Sequence, residues 1–184
     1  MNVTITTDAS YSVKFKRGSY AFQLKSNLGR IEKSGLLKGH IPDSLVAEMK
    51  SIYNALFCLY KNKEWRRKVK FVYINTDCLN AIHLIHNDRP NIKKHKLSQK
   101  EAVDMANRFR HLTSSRFGGV VVTLRHVKAH TGDSAPRSKA NAWCDYEAKN
   151  QISKLYENSN HPSTTNFVSC RPSFTVQERT AYKK

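Results

Sequence analysis

Val3 and Ile5 alternate with Thr4 and Thr6, a β-branched pattern that predicts a short strand over residues 3–10. Ala9-Ser10-Tyr11-Ser12 reads as the turn that ends it, so Asp8 is expected where the strand runs out. Residues 18–24 (GSYAFQL) alternate again, Tyr20, Phe22 and Leu24 against Ala21 and Gln23. Asn27-Leu28-Gly29 offers a turn and residues 30–37 a third strand, which together predict an antiparallel meander. The period then changes. Asp43 or Ser44 can cap a helix, and Leu45, Met49, Ile52, Leu56 and Leu59 recur at helical spacing for about five turns.

Residues 61–70 read as a basic connector and residues 71–76 (FVYINT) as a mostly apolar strand, short enough to be a buried parallel neighbour of the first. That strand ends at Asp77, after which Leu79, Ile82 and Ile85 resume helical spacing. A further helix is expected over residues 98–112. Gly118-Gly119 opens a strand that closes at Lys128, and residues 129–133 form a polar loop. In a last helix over residues 136–155, Asn141, Asp145, Ala148, Ile152 and Leu155 share one face. Beyond it the chain turns polar, with Pro162 and Pro172. The expected division is a folded domain over 1–158 and a mobile or loosely docked tail over 159–184. The order βββ-α-β-α-α-β-α is that of an α/β domain, a mixed sheet flanked by helices.

Composition sharpens this picture at one point. Lys and Arg number 32 against 14 Asp and Glu, a formal charge of +18. Such an excess calls for a polyanionic partner, nucleic acid first and an anionic membrane surface second. Arg89, Lys93, Lys94, His95, Lys96 and Lys100 cluster around Pro90, and Arg108 and Arg110 follow. Runs of like charge are often only solvated surface; beside an acidic site they suit a face that tracks phosphates. No apolar run approaches the roughly 18 residues of a membrane span and no signal-peptide core is visible, so a cytoplasmic protein that does not enter membranes is expected. Cys58, Cys78, Cys144 and Cys170 show neither a C-x-x-C pair nor zinc spacing, and are expected as free thiols.

Asp8 and Asp77 occupy strand ends, where open α/β sheets place their ligand crevice. Glu48 shares a helical row with Ile52, Ala55 and Leu59, and Asp145 an inward row of the last helix. Each alone has an ordinary explanation: Asp favours turns, and an early helical Glu suits the helix dipole. His130 alone would be an incidental loop residue. Together the four acids are harder to dismiss, since two carboxylates about 4 Å apart repel by roughly 4 kcal/mol at an effective dielectric near 20. They must take up protons or hold metal. All-oxygen ligation favours Mg²⁺, with Mn²⁺ as a substitute, and a pair of ions roughly 3.5–4 Å apart suits phosphodiester cleavage.

Six segments in order carry a family resemblance: TDAS at 7–10, GSYAFQL at 18–24, EMKSIYNAL at 48–56, VYINTD at 72–77, VKAHTG at 127–132 and NAWCD at 141–145. Over about residues 2–155 the chain resembles type 1 ribonuclease H. The resemblance implies a ribonuclease H-like five-stranded mixed sheet of order 3-2-1-4-5 and endonucleolytic hydrolysis of the RNA strand of RNA/DNA hybrids with two metal ions. It places the family's acid quartet on Asp8, Glu48, Asp77 and Asp145, and its mobile histidine on His130. Asp8 would bridge both ions, Asp145 would complete the site of the ion that activates water, and Glu48 and Asp77 would hold the other. His130 would assist proton movement or product release. Ser10, Lys93, Lys94, Lys96 and Asn141 are the candidate nucleic-acid contacts, and a monomer is expected.

The chain departs from the family pattern at Leu79 and Ala142, where polar or acidic residues are frequent, and its 87–100 insert lacks the usual tryptophans. Two other readings compete. Junction resolvases and transposases share the fold and its acids but cut DNA, and a nucleic-acid-binding module would need no acids at all. Cleavage of matched hybrid, duplex and junction separates the first, and sensitivity to a chelator the second.

Overall fold

The protein is described here from a computed structural model, over residues 1–86, 97–128 and 135–159. Among the described residues, five strands and five helices follow one another as β1 (Asn2–Ser12), β2 (Arg17–Ser26), β3 (Gly29–Leu36), α1 (Ser44–Lys61), α2 (Lys63–Lys68), β4 (Phe71–Thr76), α3 (Leu79–His86), α4 (Leu97–Arg116), β5 (Val121–His126) and α5 (Pro136–Ser159). The strands form one sheet of order β3-β2-β1-β4-β5. The meander β1-β2-β3 is antiparallel, whereas β1 pairs with β4, and β4 with β5, in parallel. Helices therefore have to carry the chain across the sheet faces between the parallel strands.

Side-chain parity divides the sheet into two faces. Val3, Ile5, Phe22, Leu24, Val72 and Ile74 are buried in the main core with Ile52, Leu56 and Leu59 of α1, and α4 closes this layer through Ala102, Met105 and Phe109. Burying one such aliphatic side chain is worth about 1.5–3 kcal/mol, so this layer supplies most of the fold's drive. The other face carries α5. A smaller cluster of Ala21, Cys144 and Ala148 forms there with Trp143 against it. The Ser19 hydroxyl donates to the Ala148 carbonyl and the Cys144 thiol to that of Thr6, tying α5 to β2 and β1.

Helix α1 starts where the sequence indicates, because the Asp43 carboxylate accepts from the Val46 amide at 2.8 Å. Such a cap contributes about 1 kcal/mol. Two expectations need correction. The expected turn at residues 9–12 is strand: β1 continues beside β2 through Ala9↔Tyr20, Ser10↔Ser19 and Tyr11↔Gly18. Local turn chemistry yields there to a long-range ladder, and only the β1–β4 pairing stops early, at Thr6↔Asn75. The basic connector 61–70 likewise contains α2, which the Asn62 side chain caps at the Trp65 amide while Trp65 buries itself in the core. Its surrounding charges hide that single anchor from a periodicity reading. Helix α5 reaches Ser159, and the tail expected after it lies outside the described residues.

Candidate metal centre

Three carboxylates meet where β1 outlasts β4. The register Thr6↔Asn75, carried two residues further, sets Asp8 of β1 opposite Asp77, the residue that follows β4. Parity sends both to the α5 face of the sheet, and the Asn75 amide donates to the Thr6 hydroxyl one step earlier on that face. Glu48 comes from α1, one turn inside its cap and so beyond the first turn, where the helix dipole would by itself explain an acid. One oxygen from each of Asp8, Glu48 and Asp77 lies within 4.8 Å of the others.

Short-range contacts hold this convergence. The Ala9 amide donates to Asp8 Oδ1 at 2.8 Å and to Glu48 Oε1 at 3.3 Å, so one backbone group serves both acids. Ser51, one turn after Glu48, donates to the Asp8 carbonyl at 2.9 Å and is hydrogen-bonded to Thr7. That clamp pins β1 to α1 at the site. The backbone carbonyl of Asp77 meets His126 Nε2 at 3.2 Å, and the Thr76 hydroxyl accepts from the Cys78 amide as α3 begins.

Electrostatics at the centre are unfavourable for three bare charges. Burial, with Asp77 beside it, pushes the Asp8 carboxyl up to about 6. Glu48 is raised well above the usual carboxylate range by burial first and then by the charges of Asp8 and Asp77. Its Oε2 is buried and, among the described residues, has no hydrogen-bond partner. An all-oxygen set with excess negative charge and an unpaired buried oxygen fits a hard divalent cation.

Asp145 stands apart from this group. Its charge reaches Asp8 and adds to the rise there, and its carboxylate is paired with Lys149 one turn on at 2.8 Å. Asn141 is buried on α5, with its Oδ1 lacking a partner among the described residues, and Ser10 is half-buried opposite Ser19. His130, Lys93, Lys94 and Lys96 lie outside the described residues. Sequence reasoning missed Ser51 and His126. Ser51 left one signal, a hydroxyl three residues from an inward-row acid. His126, at the end of β5, left none.

A family model described as RNase H matches residues 1–153. No curated protein is significantly similar in sequence. Among solved structures, RNase H1 from the halophilic archaeon Halobacterium salinarum NRC-1 is similar at 14% identity and a TM-score of 0.60, over 84% of this chain and 99% of that one. LC11-RNase H1, isolated from compost by a metagenomic approach, is similar at 17% identity and a TM-score of 0.63, over 84% and 98%. The same compost protein in complex with an RNA/DNA hybrid gives 17% and 0.61, over 84% and 99%. At such identities the likeness to these structures is one of fold.

Proposed function

The chain belongs to the RNase H family, and from that premise we propose that it hydrolyses the RNA strand of RNA/DNA hybrids at the centre formed by Asp8, Glu48 and Asp77. The observation that carries the reading is the convergence of three acids, drawn from elements far apart in sequence, inside a chain of formal charge +18. A surface of that sign gathers phosphate backbones, and the acidic centre gives it something to do with them. The hybrid-bound fold neighbour supports a hybrid as the substrate.

The donor set favours Mg²⁺, with Mn²⁺ as a substitute, and two bound ions would supply an activated water and charge stabilisation at the leaving oxygen. The protein's own part is to hold Asp8 and Glu48 by the Ala9 amide and to anchor the Asp8 backbone by Ser51. Asp145 joins once Lys149 releases it, and His130 assists proton movement or product release. Ser10 and Asn141 contact the hybrid at the site, and Lys93, Lys94 and Lys96 at its phosphates. This reading has the enzyme working as a cytoplasmic monomer, where Cys58, Cys78 and Cys144 remain free thiols.

A strand-labelled hybrid assay tests the proposal. RNA-strand cutting should require Mg²⁺, and Asp77→Asn should lower the rate at least about 100-fold, the scale of about 2.7 kcal/mol of transition-state stabilisation, while hybrid binding changes little. Mg²⁺-dependent cutting that survives this substitution would reject the assignment.

A further inference from the structure

The second half of α1 carries a feature the metal centre does not use. Tyr53, Phe57 and Tyr60 follow one another along the helix surface as a ladder, with ring centroids 6.0 and 5.9 Å apart and the first two rings only 12° from parallel. They line a cavity of about 580 Å³ between α1 and α4, whose other walls include Lys61, Arg108 and Arg116. Among the described residues, no acidic side chain lines it. Phe57 remains 37% exposed, an aromatic face held toward solvent rather than core. The cations are already placed over the rings: the Lys61 ammonium lies 5.1 Å from the Phe57 centroid, and the guanidinium groups of Arg66 and Arg116 lie 4.9 and 6.0 Å from that of Tyr60.

This groove is separate from the catalytic end. Phe57 comes nine residues after Glu48, about two and a half helical turns and roughly 14 Å along the axis, which sets it on the opposite side of α1. A strand held in the groove therefore lies on a different side of α1 from Glu48.

We propose that the groove is a second nucleic-acid site that takes unpaired nucleotides, bases stacking on Tyr53, Phe57 and Tyr60 and phosphates meeting Lys61, Arg108 and Arg116. The chemistry selects single strands, because only unpaired bases offer their faces to aromatic rings, and stacking tolerates any sequence. An acidic peptide would satisfy the cations but would leave the ring ladder unused. The site adds an anchor for a single-stranded flank to whatever grips the duplex.

The test uses the full chain, a chelator and a fluorescein-labelled twelve-nucleotide oligothymidylate at about 50 mM salt, read by fluorescence anisotropy. Lys61→Glu with Arg116→Glu should weaken binding at least about tenfold and flatten the log–log salt dependence by about 1.4, at roughly 0.7 per phosphate contact on a single strand. Phe57→Ala should weaken it about fivefold or more, the low end of one lost stack. Lys25→Glu with Lys38→Glu, a pair outside the groove carrying the same charge change, should cost less than threefold. Amide shifts on adding the oligonucleotide should cluster in the second halves of α1 and α4, a readout that does not depend on any variant folding. Equal losses from the two charge-reversal pairs, shifts confined to the catalytic end, or groove shifts produced by hexaglutamate and not by oligothymidylate would each overturn the proposal.

Discussion

Asp8 and Glu48 are strained as charges, and that has a measurable sign. Both carboxyls titrate higher in the folded chain than in the unfolded one, Asp8 at about 6 against an ordinary 3.8. The native state therefore binds more protons between those values, and the metal-free protein loses stability as pH rises from about 4 through 6. Asp8→Asn removes a titrating member. In chelator at pH 7 it should melt on the order of 5 °C above the parent, with the gain gone near pH 4, as calorimetry at the two pH values would show. Saturating Mg²⁺ should reverse the order, since a ligand at a hundred times its dissociation constant adds about 2.7 kcal/mol to the parent alone. Ser51 works by position instead. Ser51→Ala leaves the Asp8 carbonyl and the Thr7 hydroxyl short of a partner, at a cost of about 1–3 kcal/mol. Its activity should fall mainly in kcat, with affinity for the hybrid nearly unchanged; an unaltered kcat would show that the clamp does not position Asp8.

Among elements, the packing of α1 on β2 decides where Glu48 stands. Gly18 of β2 lets the helix approach closely: a Cβ there would sit 3.0 Å from Leu37 Cδ1 and 3.2 Å from the Ala47 Cβ, the residue before Glu48. Leu37 can swing its methyl aside, but Ala47 cannot move without the helix. Gly18→Ala should therefore cost about 1–3 kcal/mol and lower the melting temperature by several degrees, with activity falling further than stability because Glu48 moves with Ala47. A melting temperature within a degree of the parent would mean that the approach has slack. The caps and periodicities that define α1 were readable because they are local, Asp43 to Val46 and Leu45 to Leu59. The length of β1 and the existence of α2 were not. One depends on a ladder to β2, the other on Trp65 finding a core assembled from distant segments.

At the scale of the molecule, an acidic pocket sits within a strongly cationic chain, and the two charges should separate in experiment. Raising salt from 50 to 200 mM should weaken hybrid binding at least tenfold, since each neutralised duplex phosphate contributes roughly 0.9 to the log–log slope. A chelator should stop cleavage and leave that binding in place; affinity indifferent to salt would remove the surface from the mechanism. The sequence alone determined the order of the strands and of the helices other than α2, the excess of cations and the acid that follows β4, because these are properties of near neighbours and of composition. It could not determine which acids meet. Asp8, Glu48 and Asp77 converge, Asp145 pairs with Lys149 within reach of Asp8, and the ring ladder of α1 acquires a cationic wall from α4. Those outcomes rest on pairings between segments some 40 to 140 residues apart, whose geometry only the packed sheet and helices can set.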